Sequence, residues 1–224
     1  MKKFFFTIVS ILVLVLLSCS NEESKTQNQV VARPTVPILN GEVQIGSQIW
    51  MTKNLNVSRY RNGDPIPQVT NPTQWANLTT GAWCYYNNNS ANGLVYGKLY
   101  NWYAVNDSRG LAPVGWHVPS DVEWTTLVTF LDGESIAGSK LKSITLWSNP
   151  NTGATNSSGF TGIPGGFRNE LGTFFNILNF GFWWSRIDGG MTTAWNRCLI
   201  YNNSAVCGGF NYKLDGFSVR CLRD

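Results

Sequence analysis

Residues 115–124 read Gly115-Trp116-His117-Val118-Pro119-Ser120-Asp121-Val122-Glu123-Trp124, and they place an extended run directly before a helix start. Pro119 favours extended backbone in the residue before it. Ser120 and Glu123 have the spacing of a capping box, in which each side chain bonds the backbone N–H of the other residue. The helix that starts here is predicted to end at Asp132-Gly133. Its apolar face is formed by Trp124, Leu127, Phe130 and Leu131.

Short strands and turns surround this helix and a second short helix predicted over 136–142. Val43-Gln44-Ile45 and Gln48-Ile49-Trp50-Met51 straddle a Gly46-Ser47 turn, which predicts an opening hairpin. The stretch 216–222 alternates apolar and polar residues and predicts a final strand. Runs of strands with few helices indicate an α+β fold.

A second hairpin is predicted near the C-terminus. Asn202-Asn203 is a two-residue loop of the type that accepts positive φ. Counting outward from this loop places Cys198 opposite Cys207, at a non-hydrogen-bonded position where opposing side chains are closest. The register therefore favours a disulfide across this hairpin.

The composition narrows the function classes. Charged residues are 13% of the 224, and aromatic residues are also 13%, which argues against disorder. Without Lys2 and Lys3, 15 of the 17 basic residues remain against 13 acidic ones, a net charge of +2. Such a small and scattered excess excludes nucleic acid as the expected partner.

The N-terminus predicts export. Residues 1–18 have the positive start and apolar core of a signal peptide, and Leu16-Leu17-Ser18-Cys19 resembles a bacterial lipobox. Lipidation of Cys19 would anchor the chain to a membrane. Residues 19–40 are interpreted as a tether and residues 41–224 as one domain. Ser20-Asn21-Glu22-Glu23 resembles the acidic signal that sends some Bacteroidetes lipoproteins to the outer-membrane surface, and a plain tether facing the periplasm is the alternative.

Four cysteines remain beyond Cys19, an even number in an exported chain. Three pairings are possible, and the hairpin register favours Cys198 with Cys207, which leaves Cys84 to join Cys221. A reactive thiol pair is the alternative. No CxxC spacing occurs and His117 is the sole histidine in the sequence, so no metal or other cofactor is expected.

A set of ordered motifs covers the whole predicted domain. They are Gln44-Ile45-Gly46-Ser47-Gln48-Ile49-Trp50-Met51, Trp83-Cys84-Tyr85-Tyr86, Tyr96-Gly97-Lys98-Leu99-Tyr100-Asn101-Trp102, the 115–124 stretch, Pro164-Gly165-Gly166-Phe167-Arg168, Trp183-Trp184-Ser185 and Gly216-Phe217-Ser218-Val219-Arg220-Cys221. On these residues the chain resembles the Fibrobacter succinogenes major paralogous domain family. That family is similar to the C-type lectin-like fold in its formylglycine-generating-enzyme variant, and it has no established common activity. The resemblance implies twisted antiparallel strands, two short helices and long ordered loops.

The resemblance also directs attention to two kinds of site. The copper-binding cysteine pair of formylglycine-generating enzymes lies in a region comparable to Cys198 and Cys207, although the spacing here favours a closed bridge. The tripeptides of calcium-dependent sugar binding are absent from the sequence, and Trp195-Asn196-Arg197 is the nearest approach.

The aromatic residues Trp183, Trp184 and Trp195 are the candidate ligand-binding residues. Adjacent Trp183 and Trp184 would point to opposite faces of a strand, so one of them is expected to be exposed. Exposed aromatic faces bind sugar rings or partner side chains, although large aromatic residues are more often core. His117 is interpreted as a packed structural residue, with a general base as the alternative. Asp121 and Glu123 are assigned to the helix start, and no catalytic residue is predicted.

The sequence therefore predicts a lipid-anchored envelope protein, exposed at the cell surface, whose C-type lectin-like domain recognises a glycan or a protein. One alternative is an oxidase of the formylglycine-generating type with a lost or altered metal site. Another is a structural or adhesion component that has no soluble ligand.

Overall fold

Residues 41–224 are described by a computed structural model of the chain. The predicted signal peptide (1–18), the lipidation at Cys19 and the tether (19–40) lie outside the described residues. Among the described helices, none combines the length and the apolar character needed to cross a bilayer.

The described chain alternates short strands with five short α-helices. The strands are β1 (Glu42–Ile45), β2 (Gln48–Met51), β3 (Trp83–Cys84), β4 (Leu99–Tyr100), β5 (Trp116–His117), β6 (Gly165–Arg168), β7 (Phe174–Ile177), β8 (Phe180–Asp188), β9 (Thr193–Ile200), β10 (Val206–Tyr212) and β11 (Leu222–Arg223). The helices are α1 (Pro72–Ala76), α2 (Ser90–Tyr96), α3 (Trp102–Val105), α4 (Asp121–Phe130) and α5 (Glu134–Leu141).

Three sheets organise these strands. One has the order β1-β2-β11-β5 and joins the first strand of the domain to the last, the largest has the order β10-β9-β8-β6-β7, and β3 pairs with β4. The pairs are antiparallel except for β6 with β8, which run parallel at Gly166 and Gly181. The predicted α+β class with mainly antiparallel strands is confirmed, whereas the expectation of two short helices is wrong, because the described residues form five α-helices. The opening hairpin is also confirmed, with Ile45 opposite Gln48.

Helix α4 begins at the predicted capping box. The Glu123 carboxylate accepts hydrogen bonds from the backbone N–H and the hydroxyl of Ser120, at 2.7 and 2.8 Å, and the Ser120 hydroxyl accepts one from the Glu123 N–H. The predicted apolar face is wrong at one position, because Phe130 is 60% exposed. Its ring lies over Gly46, where a Cβ atom would come within 2.9 Å of the ring, so Phe130 covers the first hairpin from outside the core.

The final segment departs from the predicted continuous strand. Only Leu222–Arg223 forms a strand, whereas Gly216, Phe217 and Ser218 make single bridges to Arg168, Tyr100 and Trp183. These partners belong to three different strands, so the segment passes between sheets. Residues 217 to 221 are buried. The apolar and polar residues of this segment therefore alternate because they contact several strands, although the segment pairs with no single one.

Strand β8 has a hydrophobic core on each face. Trp183 packs with Trp50, Trp124 and Phe160 on the side of α4, and Trp184 packs with Tyr100 and Phe217 on the other side. This arrangement buries both tryptophans, which are 1% and 0% exposed. The expectation that one of them is exposed is wrong. Strand β8 is covered by a hydrophobic core on each face, so neither face reaches solvent.

One of the two predicted disulfides is present. Cys198 and Cys207 are bonded, with a Cα–Cα distance of 4.8 Å, in the predicted register. Cys84 and Cys221 are buried free thiols, so the predicted bridge between them is wrong for this structure. Cys84 packs in a small core with Trp75, whereas Cys221 lies in the core around Tyr100. Burial raises the pKa of each thiol to about 12.

Candidate functional site

Trp195 is the predicted ligand-binding residue that reaches the surface. It lies on β9 directly opposite Phe210 of β10, and the two ring centroids are 4.7 Å apart at an interplanar angle of 78°. Phe210 is 57% exposed, and Tyr212, two residues further along the same face, is 52% exposed. We call Trp195, Phe210 and Tyr212 the aromatic surface. Strand β10 is an edge strand, so the aromatic surface lies along the edge of its sheet.

Gly189 makes room for the aromatic surface, and Gly208 makes room for the neighbouring Arg197. A Cβ atom at Gly189 would lie 2.4 Å from the Phe210 ring, so this ring occupies the space of a missing side chain. At Gly208 a Cβ atom would lie 3.0 Å from the Arg197 side chain. Gly208 is a strand glycine of the kind that allows other groups to approach closely, here the Asn196 carbonyl and the Arg197 side chain.

The indole N–H of Trp195 is buried and has no hydrogen-bond partner among the described residues. The other two predicted tryptophans use theirs inside the protein. Trp183 donates to the Asn54 side-chain oxygen at 2.9 Å, and Trp184 donates to the Tyr100 carbonyl at 2.8 Å. Trp183 and Trp184 therefore have structural contacts, and the structure brings neither of them to the aromatic surface.

Phe210 and Tyr212 were not among the residues predicted from the sequence, although the signal was available. The same register that pairs Cys198 with Cys207 pairs Trp195 with Phe210 three residues further along each strand. Extending the count would have revealed a cross-strand aromatic pair on a glycine-rich edge strand.

The charges next to the aromatic surface are paired. The Arg197 guanidinium donates to Asp121 at 2.9 Å and to Glu134 at 3.0 Å, which ties β9 to the starts of α4 and α5. Asp188 and Lys213 form an ion pair of 2.7 Å, and the hydrogen bond from Lys213 holds the pKa of Asp188 below its usual value. The surface is thus aromatic and close to electrically neutral.

His117 lies between two carboxylates on another part of the domain. Its Nδ1 is 2.8 Å from Asp224 Oδ1, and its Nε2 is 3.0 Å from Glu123 Oε1. Burial raises the pKa of Glu123, but hydrogen bonds from Ser120 and His117 outweigh it and keep the pKa below its usual value. Both ring nitrogens are engaged in holding β5 to α4 and to Asp224, which agrees with the structural interpretation of His117.

No group of three or more His, Cys, Asp or Glu side chains within residues 41–224 is arranged to hold a metal ion. The cysteine pair that resembles the copper-binding pair of formylglycine-generating enzymes is closed as the Cys198–Cys207 disulfide.

Comparison with protein families gives one match, to the model described as the Fibrobacter succinogenes major domain, over residues 43–223. The chain belongs to this family. The match confirms the resemblance predicted from the ordered motifs. Comparisons with curated proteins and with solved structures return no match.

The Fibrobacter succinogenes major domain of this chain therefore spans nearly all the described residues, from β1 to β11. Both the aromatic surface and the His117 contacts belong to it. Because the family assignment names no activity, the function has to be argued from the surface of this domain.

Proposed function

We propose that the chain is a lipid-anchored envelope protein, displayed at the cell surface, whose Fibrobacter succinogenes major domain has a C-type lectin-like fold and binds a glycan. The observation that carries the proposal is the Trp195–Phe210 pair on the edge hairpin, in which Phe210 is exposed and Trp195 is half-buried. Mainly antiparallel strands, two longer helices (α4 and α5) and long loops support the lectin-like assignment of the fold.

A glycan is favoured over a protein partner by the chemistry around the aromatic surface. Sugar rings present apolar faces that stack on aromatic rings, together with uncharged hydroxyls that hydrogen-bond to polar groups nearby. Thr193 lies opposite Tyr212 in the register, on the same face as Trp195 and Phe210, and supplies a neutral hydroxyl there. Asn211 lies on the other face of β10, where its side-chain oxygen accepts a hydrogen bond from Asn196. The neighbouring charges are already paired, so they favour a neutral ligand.

Binding to an array of neutral oligosaccharides tests this proposal, with the full-length chain and its Phe210→Ala and Trp195→Ala variants. Loss of one stacking ring is expected to weaken binding about tenfold. Phe175→Ala is the matched control, because Phe175 is an exposed aromatic residue (42%) at the opposite edge of the same sheet. Unchanged glycan binding in Phe210→Ala, or an equal loss in Phe175→Ala, would contradict the proposal. Capture of an envelope protein instead, lost in Phe210→Ala, would replace the glycan by a protein partner.

The anchor is tested separately on whole cells. Radiolabelled palmitate should be incorporated into the native chain and not into Cys19→Ala. Protease added to intact cells should remove the native domain and spare Glu22→Ala/Glu23→Ala. Protection of the native domain until lysis would overturn surface display and direct the search to periplasmic partners.

A binding module is favoured over an oxidase by the state of Cys198 and Cys207, which close β9 onto β10. Copper(I) titration of the folded protein, followed by peptide mapping of the disulfide, separates the two functions. Stoichiometric copper binding that is lost in Cys198→Ser would support the oxidase.

A further inference from the structure

A cleft of about 390 Å³ opens on the side of the domain where residues 52–56, the end of α2 and the loop from 142 to 163 meet. Its volume is in the range of small-molecule sites. We call it the Asn54 cleft. It is lined by residues 52–54, 56, 93–95, 97, 146, 161 and 163.

One wall of the Asn54 cleft is apolar and uncovered. Leu94 is 88% exposed, Val95 is 47% exposed and Leu146 is 42% exposed. Ile163 continues this wall below them. Large apolar side chains grouped at a concave surface are typical of ligand-binding sites.

The cations at the Asn54 cleft have no carboxylate partner among the described residues. Lys53 lines the cleft, is exposed, and makes no ion pair within the described part of the chain. The Lys98 ammonium is linked to the cleft through the lining residue Asn56, to whose backbone and side-chain oxygens it donates, both at 2.9 Å. None of the described lining residues is acidic. The positive charge is therefore not paired within the cleft, and it attracts an anion there.

A third cation lies beneath Asn54 and Thr161, two of the residues that line the cleft. Arg220 is fully buried, and its guanidinium donates to the side-chain oxygen of Asn54 at 2.9 Å and to the carbonyl of Thr161 at 3.3 Å. Both acceptors are neutral, so Arg220 adds to the positive potential of the cleft without competing for an incoming carboxylate.

The backbone that shapes the cleft is held in an uncommon conformation. Leu146 has φ +73° and Thr161 has φ +56°, and positive φ is a clear outlier for a β-branched residue such as Thr161. Asn156 fixes Thr161 through hydrogen bonds of 2.8 and 3.2 Å. Residues held in such conformations by their surroundings concentrate at ligand sites.

We infer that the Asn54 cleft binds a small organic carboxylate with an apolar body. The body would cover Leu94, Val95 and Leu146, and the carboxylate would lie at Lys53. This site is separate from the aromatic surface and does not depend on the glycan proposal.

Titration calorimetry with four probes tests this inference: octanoate, 1-octanol, octylammonium and acetate. Octanoate is expected to bind. 1-Octanol lacks the negative charge, octylammonium carries the opposite charge, and acetate lacks the apolar body. Each of these three is expected to bind at least about tenfold more weakly than octanoate. Failure of octanoate to bind at millimolar concentration, or equal binding of octanol or octylammonium, would overturn the inference.

Two exposed residues allow the site to be mapped without disturbing the fold. Lys53→Gln should weaken octanoate binding about three- to fivefold, and Leu94→Asn about tenfold. The matched controls are Arg186→Gln, an exposed cation outside the cleft, and Leu171→Asn, a leucine that is 64% exposed outside the cleft. Unchanged binding in both cleft variants, or equal losses in the controls, would assign the octanoate to another surface and overturn the inference.

Discussion

At the aromatic surface the buried cation Arg197 is paired with two carboxylates, whereas Arg220 beneath the Asn54 cleft meets only neutral oxygen atoms. The aromatic surface is also local in sequence, because its three residues lie within one disulfide-closed hairpin. The cleft is assembled over long separations, since Asn54 and Arg220 are 166 positions apart in the sequence. One region is thus neutral and locally specified, and the other is positive and depends on the whole fold.

Replacing Arg220 tests the Asn54 cleft, the region assembled over long sequence separations. It is expected to have the largest effect on stability. Arg220→Met removes the guanidinium that donates to the carbonyls of Met51, Phe160 and Thr161. It also leaves the Asn54 side-chain oxygen with the Trp183 indole N–H alone as its donor within the described residues. We expect the free energy of unfolding in urea to fall by about 4 kcal/mol.

Arg186→Met is the control for the Arg220 variant, because Arg186 is exposed. It should change the free energy of unfolding by less than about 0.5 kcal/mol. A loss of under about 1 kcal/mol in Arg220→Met would show that the buried guanidinium does not organise the cleft.

Removing the Cys198–Cys207 disulfide is the corresponding test for the hairpin that carries the aromatic surface. Only nine positions separate Cys198 from Cys207, so the double variant Cys198→Ser/Cys207→Ser should lose about 2–3 kcal/mol by the chain-entropy model. Reducing agent should lower the stability of the native chain by a similar amount and leave the double variant unchanged. A further loss on reducing the double variant would indicate a second disulfide, which contradicts free Cys84 and Cys221.

The sequence predicted the local features well because short-range rules determine them. The capping box at Ser120 follows from four consecutive residues. Counting outward from Asn202-Asn203 gave the correct Cys198–Cys207 pairing, but the two-residue loop itself is wrong, because the strand pairing ends at Leu199 and Val206 and neither asparagine has positive φ. The opening hairpin was predictable for the same reason. Each of these requires only the geometry of one helix turn or one strand pair.

Features that depend on distant contacts were not predictable in this way. The alternation around Trp183 and Trp184 correctly indicated opposite faces, but the second core that covers Trp184 comes from Tyr100 and Phe217. The pairing of Cys84 with Cys221 was inferred by elimination, and the two thiols lie in separate cores. The Asn54 cleft has no local pattern at all, since its lining comes from segments more than a hundred positions apart.

Lys142 extends the comparison to pH, because it anchors the loop beside the cleft. Its buried ammonium donates to the carbonyls of Thr152 and Asn203, both at 2.8 Å, and burial lowers its pKa to about 8. The unfolded chain therefore binds more protons between about pH 8 and the ordinary lysine pKa, so stability rises with pH through this window.

The Lys142→Met variant isolates this contribution, because every other group titrates equally in both proteins. Between pH 7 and 9.5 the native chain should gain about 2 kcal/mol of unfolding free energy relative to Lys142→Met. Parallel curves for the two proteins would contradict a depressed pKa at Lys142.

Salt provides the finest distinction between the two regions. The Arg197 side chain is 6% exposed, but its partners Asp121 and Glu134 are 33% and 68% exposed, so solvent screens the pairs. Arg197→Gln should therefore cost only about 1 kcal/mol at low salt, and this difference should shrink by 1 M NaCl. In the Glu134→Gln background the salt-dependent part of the loss should be smaller, since one of the two pairs is already absent.

The loss of stability caused by Arg220→Met should be unaffected by salt, because the acceptors of Arg220 are neutral and buried. Equal salt dependence of the Arg197 and Arg220 variants would remove the electrostatic distinction between the aromatic surface and the Asn54 cleft.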